Sequence, residues 1–580
     1  MGGMAVLLRR HCRGMMQRSV FGDYETCNID LAIFLRVNAA PRHFIPNSDC
    51  EIPMHRRHVF GLAAGLSGCA LAGPALAQDR RATTLRFVPN GSGLATPDPV
   101  WTTGAVVGVH AQLIYDVLYG YDQRGLPQPQ MVAGHQVSDD GRRWVLTLRE
   151  GLFFHDGEPV RAADAVQSLA RWSRRDTFGQ VLYAQVEEVR ALDDRRLEFR
   201  LKKPFPLLPA ALAQNAFIMP ERVARTDPFQ QITDYTGSGP WRFLRDEWVV
   251  GAGSAYARFD RYVPRQEPSD GHAGGKVAHF ERVEWRVLPD ASTAIGALQN
   301  NEVDWVERPL FDLLPRIRRI RNVKLDVFNT LGRIGLVQLN HLYPPFDNPE
   351  IRRAALAAIS QDDMMAAIVG DEAALGKTGV GYFTEGSPYA SREGLGGLFT
   401  GNRDIPALKE RVRRAGYRGE KVRLLSPADM DVIKAISDVA AATFQSIGLD
   451  VEYISMDFGS VLTRRANRNP PDQGGWNAHT TTWTGLGMLS PATNTPLRAN
   501  GPQAWSGWPD LPELEKLRQE WFDAPDLATQ QAVARGIQRA AVDGVPYLPV
   551  GQWQEPTALR ADLTGLPKAS LAAFWNLRRA

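Results

Sequence analysis

No cysteine occurs after Cys69. The four cysteines of this 580-residue chain are Cys12, Cys27, Cys50 and Cys69. Everything downstream must therefore fold without a disulfide framework, without thiol chemistry and without a cysteine-ligated zinc site. It has to be held by buried apolar surface. The composition allows this, with 44% hydrophobic residues and 14 Trp, and the length suggests roughly three domains at ~100–200 residues each. A body free of thiols suits an oxidising compartment. The formal charge of +3 is nearly neutral for such a length. A nucleic-acid partner would show as a large, clustered basic excess. Short runs such as Arg316–Arg321 read as a solvated helix face, so no nucleic-acid partner is expected.

The N-terminal region carries an export signal. Met54-His55-Arg56-Arg57-His58-Val59-Phe60 is followed by a small, apolar run from Gly61 to Gly73 and then by Pro74-Ala75-Leu76-Ala77-Gln78. A charged segment, a short apolar segment and an Ala-x-Ala site in that order define a secretory signal peptide. The apolar run is too short for a membrane-spanning helix, which needs ~20 residues. Cleavage is expected between Ala77 and Gln78, with 54–77 removed. Arg56-Arg57 before x-Val-Phe resembles a twin-arginine signal. Leu66-Ser67-Gly68-Cys69 also resembles a lipobox, which would place a lipid anchor on Cys69. Residues 1–53 precede the signal and show no helix-turn-helix pattern. They read as an upstream extension produced by a start codon assigned too early, with a genuine cytoplasmic extension as the alternative.

Beyond residue 78 the pattern alternates between strand and helix periods. Thr83–Val88 reads as a strand ending at Pro89-Asn90-Gly91, and residues 106–119 carry helical spacing. Ser138–Gly141 reads as a turn between strands. Ala162–Trp172 reads as a helix, Val186–Leu192 and Arg196–Leu201 as a hairpin, and Phe205–Ala213 as a helix. Thr236–Pro240 is a Gly-rich corner. Residues 250–279, rich in Gly, Ser and Asp, read as an exposed loop. Val283–Leu288 (strand), Ala291–Gln299 (helix) and the short strand after Asn301 follow. The pattern restarts with the strand Gly335–Asn340 and the helix Asn348–Ser360, after which Asp362-Asp363 is expected to cap the next helix. Helices at Lys409–Ala415, with Gly416 as its stop, Val432–Ile447, Pro512–Phe522 and Leu527–Val542 alternate with strands at Val422–Leu425 and Val451–Ser455, and Tyr547–Pro549 begins a last extended segment. Alternation of this kind implies an α/β layer architecture. A cleft between lobes is the natural place for a small-molecule site.

Catalytic and cofactor motifs fail one after another. There is no His-Glu-x-x-His pair and no Gly-x-Ser-x-Gly. Gly370 to Lys377-Thr378 has one residue too many for a phosphate loop, whose backbone N–H register depends on that count. The histidines after residue 78 form no i,i+4 pair. Catalytic residues, a bound metal and a cofactor are accordingly not expected, unless a metal arrives inside a chelate.

Six blocks in order carry a family resemblance. They are Leu113–Tyr121 (LIYDVLYGY), Val137–Ala165 (VSDDGRRWVLTLREGLFFHDGEPVRAADA), Thr236–Phe243 (TGSGPWRF), Leu339–Ala358 (LNHLYPPFDNPEIRRAALAA), Pro406–Tyr417 (PALKERVRRAGY) and Ala441–Val451 (AATFQSIGLDV). With them, the chain from about Arg86 to Val550 resembles solute-binding protein family 5 of ABC importers, which includes dipeptide-, oligopeptide- and nickel-binding proteins. The resemblance implies a periplasmic binding protein type II-like fold of the cluster C type. It has two α/β lobes joined by two crossing strands, plus an additional α+β domain. Mapped onto this chain, the first lobe takes 78–112, 234–330 and 548–580, the extra domain 113–233 and the second lobe 331–547. It further implies a monomer in the periplasm that closes over a small solute and delivers it to an inner-membrane ABC permease.

One departure bears on the ligand. In peptide-binding members a tryptophan-led segment of the second lobe carries an aspartate that pairs with the peptide's α-ammonium. The matching segment here, Trp476 to Pro491, contains no acidic residue. A buried ammonium without counter-charge would be costly. The segment offers Asn477, His479, Thr482, Trp483 and Thr484, a set suited to a sugar-like, opine-like, anionic, capped peptide-like or chelate ligand. Trp483 can stack on a ligand face. By position, Asn90 and Trp101 at the first-lobe strand exit, Asn340 at the matching second-lobe strand, and Trp505 and Trp508 at the cleft or its rim complete the expected binding set. The alternatives are a sensor or chaperone that passes ligand to a signalling partner, and a hydrolase on the same fold.

Overall fold

The computed structural model describes residues 82–580, apart from Ser92, Thr103, Gln214 and 400–402. The expected export signal, with Cys69, Ala77 and Gln78, lies outside the described residues. Among the described residues, no helix is long and apolar enough to cross a membrane.

Three sheets organise the chain. The first has seven strands, in the spatial order Val323–Asp326, Thr557–Arg560, Trp305–Val306, Thr84–Val88, Arg282–Arg286, Gly253–Arg258 and Trp241–Phe243. Thr84–Val88 runs parallel to both neighbours. A strand flanked in this way is buried on both faces. Phe87 accordingly has no exposed surface and packs edge-on against Trp305 at 4.8 Å and Phe574 at 5.0 Å.

The second sheet has six strands, in the order Gly376–Lys377, Tyr547–Trp553, Arg333–Leu339, Ala478–Thr484, Lys421–Pro427 and Asp450–Met456. Lys421–Pro427 and Asp450–Met456 pair in parallel along their whole length. The helix Asp431–Ser446 bridges them as a crossover, as parallel neighbours require. Its buried stripe, Ile433, Ile436, Ala440 and Phe444, follows the 3.6-residue period.

The third sheet is antiparallel, with strand order Val132–Val137, Arg143–Leu148, Arg196–Leu201 and Val186–Ala191. The helix Ala162–Ser173 covers one face, so Leu146, Leu197, Leu169 and Trp172 share one core. This domain is tied to the first lobe by buried charge. Arg171, on that helix, forms a two-pronged contact with Asp98 at 3.1 and 2.7 Å. Asp98 also accepts from Val100 N and Ile232 N. A second buried pair joins Lys276 to Asp116 at 2.8 Å. The lysine holds the Asp116 carboxyl below its usual range against the opposing effect of burial.

The chain passes between the first two sheets twice. It leaves Val323–Asp326 and enters Arg333–Leu339 through residues 327–332. It returns from Tyr547–Trp553 to Thr557–Arg560 through residues 554–556. The two crossovers touch: Gln554 Nε2 donates to Thr330 O at 3.0 Å. Gly332 closes the first crossover at φ +59, and a Cβ there would run into the Trp553 carbonyl oxygen, so no other residue fits without strain.

Several expectations change. The last extended segment, expected to begin at Tyr547–Pro549, runs as the strand Tyr547–Trp553 and pairs in the second sheet. The stretch 250–279 is not an exposed loop. Gly253–Arg258 is a strand of the first sheet and Lys276 is fully buried, because pairing with Arg282–Arg286 outweighs the weak strand propensity of Gly and Ser. The helix expected over 106–119 is Ala105–Ile114. It stops there because Tyr115 is extended and Asp116 turns inward to its lysine. Phe205–Ala213 shortens to the helix Leu208–Leu212. Ser360, not the Asp362-Asp363 pair, caps the helix Gln361–Val369 by accepting from Asp363 N.

Candidate functional site

Three adjoining cavities lie along one cleft. The first, of about 410 Å³, is lined by Asn90, Trp101, Thr102, Glu307 and Arg308, among others. The second, of about 500 Å³, is lined by Thr102, Arg175, Asp176, Asn215, Arg333 and the Thr482-Trp483-Thr484 run, among others. The third, of about 310 Å³, lies between Trp101, Trp172, Arg175 and Asn215. Thr102 borders all three. The middle cavity takes its walls at once from residues 99–108, from residues 175–178 beside the third sheet, and from Arg333 and Thr482–Thr484 of the second sheet.

On the second-lobe side the site follows from strand geometry. Arg333 and Thr484 are register partners at one end of two antiparallel strands. Thr482 to Thr484 form the carboxyl end of a strand that runs parallel to Lys421–Pro427. Carboxyl ends of strands in open α/β sheets are where ligands bind. Arg333 Nη2 donates to Thr482 Oγ1 at 2.6 Å. Its Nε lies 3.7 Å from Glu555, on the return crossover, and Arg308 reaches the same carboxylate at 3.2 Å. Glu555 thus stands between an arginine of each lobe. Glu307, 3% exposed, accepts from Asn90 N at 2.8 Å.

On the facing side, Arg175 Nη2 donates to Trp101 O at 3.1 Å, and its guanidinium lies over the Trp101 and Phe229 rings. Asp176 caps the helix Thr177–Gln185 by accepting from Phe178 N and Gly179 N. Burial pushes its carboxyl up to about 6, against the effect of those bonds. Asn215 sits at φ 53, a left-handed position that Asn tolerates better than most side chains.

Of the residues expected from sequence, Asn90, Trp101, Thr482, Trp483 and Thr484 line the cavities. Asn340 and Asn477 do not. Asn340 is fully buried, donating to Trp476 O and accepting from Leu342 N. Asn477 donates to Pro344 O and accepts from Arg423 N. Both amides are spent on backbone. His479 is also fully buried, with Nε2 3.2 Å from Ser506 Oγ. Burial pushes its imidazole down to about 3. It lies edge-on between Trp476 at 4.9 Å and Trp505 at 5.5 Å. Trp505 in turn meets Trp483 edge-on at 5.6 Å, so it supports the cavity wall from behind. Trp508, 5% exposed, packs on Trp476. The sequence reading missed Thr102, Arg175, Asp176, Asn215, Glu307, Arg308 and Arg333. No motif or spacing in the sequence places these residues at the cleft, because packing between distant segments brings them there. Among the described residues, no group of three His, Cys, Asp or Glu side chains is placed to hold a metal ion.

Comparison with known proteins gives a consistent result. The family model for bacterial extracellular solute-binding proteins, family 5 (middle region), matches residues 127–504. A protein of Sinorhizobium fredii, named "Probable peptide ABC transporter periplasmic-binding protein y4tO", is 37% identical over 534 residues, covering 90% of this chain and 99% of its own. Among solved structures, the ABC transporter substrate-binding protein CtaP of Listeria monocytogenes superposes with a TM-score of 0.71 at 18% identity, covering 86% of this chain and 99% of its own. The binding protein AgaA of A. tumefaciens R10, solved with agropinic acid, gives 0.69 at 19% identity over 86% and 99%. The fold is thus that of the type II periplasmic binding proteins of cluster C, and the chain belongs to the bacterial extracellular solute-binding proteins of family 5.

Proposed function

We propose that this protein captures a small solute in the interlobe cleft and delivers it from the periplasm to the inner-membrane permease of an ABC importer. The observation that carries the reading is the middle cavity. It is walled by Thr102, Arg175 and Trp483 from three parts of the fold, and it sits beside the only two places where the described chain crosses between the first and second sheets. Bending at 327–332 and 554–556 would open or shut it, and ligand held by both walls would favour the shut state. The names of the Sinorhizobium relative and of CtaP support importer service. On sheet membership, the working division is 78–112, 234–330 and 554–580 for the first lobe, 113–233 for the extra domain and 331–553 for the second lobe, in a monomeric protein. Asn90, Trp101, Thr482, Trp483 and Thr484 are the ligand contacts of this reading.

The role proposed is binding without turnover. A serine–imidazole contact does border the cleft, Ser570 Oγ to His272 Nε2 at 2.9 Å. Its imidazole, however, is pushed down to about 3 by burial, with Lys276 adding to the effect, and His272 Nδ1 is buried without a partner. A general base needs a pKa near the working pH and a group that orients it, and this pair has neither.

The test is a calorimetric titration of the protein with peptides, sugars, opine-like conjugates and nickel chelates, paired with uptake by cells lacking the gene. Saturable one-to-one binding, and loss of uptake of the same compound in those cells, support the reading. Hydrolysis of a bound compound, or uptake unaffected by the deletion, contradicts it.

A further inference from the structure

The charges around the middle cavity are unevenly balanced. Arg333 makes one short bond, to a neutral hydroxyl at 2.6 Å. Its nearest carboxylate, Glu555, stands at 3.7 Å, beyond hydrogen-bond range, and already serves Arg308 at 3.2 Å. Burial lowers the Arg333 pKa from its ordinary value and, with Arg308 adding to it, outweighs the opposing effect of Glu555 and Glu307, as expected for a cation whose carboxylate neighbours only partly offset its burial. Arg175, on the opposite wall, bonds to a carbonyl and to ring faces and has no carboxylate within ion-pair distance among the described residues. Asp176, beside it, has its Oδ1 committed to two helix N–H groups. The second-lobe wall from Trp476 to Pro491 supplies no acid.

We propose, building on the solute-binding reading above, that Arg333 anchors an anionic group of the ligand, a carboxylate or an oxyanion of similar size, and that the protein selects acidic solutes over amine-terminated ones. The guanidinium is planar and rigid, and its free edge suits a carboxylate better than a lysine would. Thr482 fixes its orientation from one side. Glu555 competes with the ligand for the same cation. An incoming anion therefore relieves a loose ion pair at the crossover, which links occupancy to the hinge.

The experiment uses charge-matched probes on the full chain: N-acetyl-dialanine against its amide, free dialanine, and gluconate against glucose, each titrated into wild type, Arg333→Gln, Arg333→Lys, Glu555→Gln and Trp483→Ala. The expected result is that the acids bind at least tenfold more tightly than their neutral partners. Arg333→Gln should erase that difference, Arg333→Lys should restore part of it, and Glu555→Gln should tighten the acids alone. A merely structural role for Arg333 would weaken acids and neutral partners alike, which overturns the proposal. Neutral probes or free dialanine that bind as well as the acids, in a manner sensitive to Trp483→Ala, also overturn it while leaving the cleft reading intact. Failure of every acid to bind overturns the anion preference, while the solute-binding reading stands or falls on its own titration and uptake test.

Discussion

Replacing Arg171 by Met should cost the fold about 3–5 kcal/mol, because it leaves the Asp98 carboxylate buried without its counter-charge. The two side chains are 1% and 0% exposed. The guanidinium holds both carboxylate oxygens and two carbonyls, Thr226 O and Gln230 O. Met approximates the length of Arg, so the loss is of charge and hydrogen bonds more than of volume. At about 2.1 cal/mol/K per residue, a folded body of about 500 residues unfolds with an entropy near 1 kcal/mol/K, which converts the loss into a Tm drop of about 3–5 °C. Differential scanning calorimetry at pH 7 reads it. The control is Arg142→Met. Arg142 pairs with Asp140 on the surface, at 54% and 50% exposure, where pairs contribute about 0–1 kcal/mol, so its Tm should move by no more than about 1 °C. Adding Asp98→Asn to Arg171→Met should recover part of the loss by removing the stranded charge. Because Asp98 anchors the segment carrying Trp101 and Thr102, Arg171→Met should also weaken ligand binding. An Arg171→Met shift no larger than that of Arg142→Met would refute the reasoning about burial.

Asp176 has a folded-state pKa raised to about 6, so its charged form is penalised in the fold, and its contribution to stability falls as pH rises from the ordinary carboxylate range through 6. Asp176→Asn keeps a capping side chain, so its Tm relative to wild type should improve between pH 4 and pH 7; a pH-independent difference contradicts this. His479 runs the other way. Its pKa is lowered to about 3, so the unfolded chain binds its proton first and stability is lost as pH falls from 6.5 towards 3, by about 1.4 kcal/mol per unit. His479→Gln should flatten the acid side of a Tm-versus-pH curve, and an unchanged slope counts against the assignment. Gly332→Ala places a methyl against the Trp553 carbonyl at a left-handed position. It should lower Tm and alter ligand affinity together, and a change in neither would mean that the crossover is not tightly built.

Local signals were legible where a segment's own residues decide its state. Ala291–Gln299 begins at Asp290, whose carboxylate accepts from Thr293 N. The helix Ile405–Arg414 is followed by Gly416 at φ 92. The hairpin expected around Asp193-Asp194 forms, with Val186–Ala191 paired to Arg196–Leu201. Segments decided by distant partners were not legible. Ala478–Thr484 lacks an alternating pattern because it lies in mid-sheet, and it was read as a binding segment and not as a strand. Gly253–Arg258 resembles a loop until it pairs. The site divides in the same way. Trp483 and Thr482 stand in a motif-bearing segment, whereas Arg333, Arg175 and Asn215 reach the cleft only through packing between lobes. Asn340, Asn477 and His479 look like polar contacts in the sequence, but the two amides turn to backbone and His479 Nε2 to Ser506 Oγ inside the fold.

The central claim is that a small solute binds between the lobes, and a ligand screen read by thermal shift on wild type and Trp483→Ala tests it most directly. A specific ligand at 100 times its Kd adds about 2.7 kcal/mol, or about 2–3 °C for a chain of this size. The account predicts that some compound raises the wild-type Tm by this amount and fails to raise the Tm of Trp483→Ala above that variant's own unliganded value, which the loss of packing against the core lowers. A ligand that shifts both proteins equally would place binding outside the cleft and contradict the account.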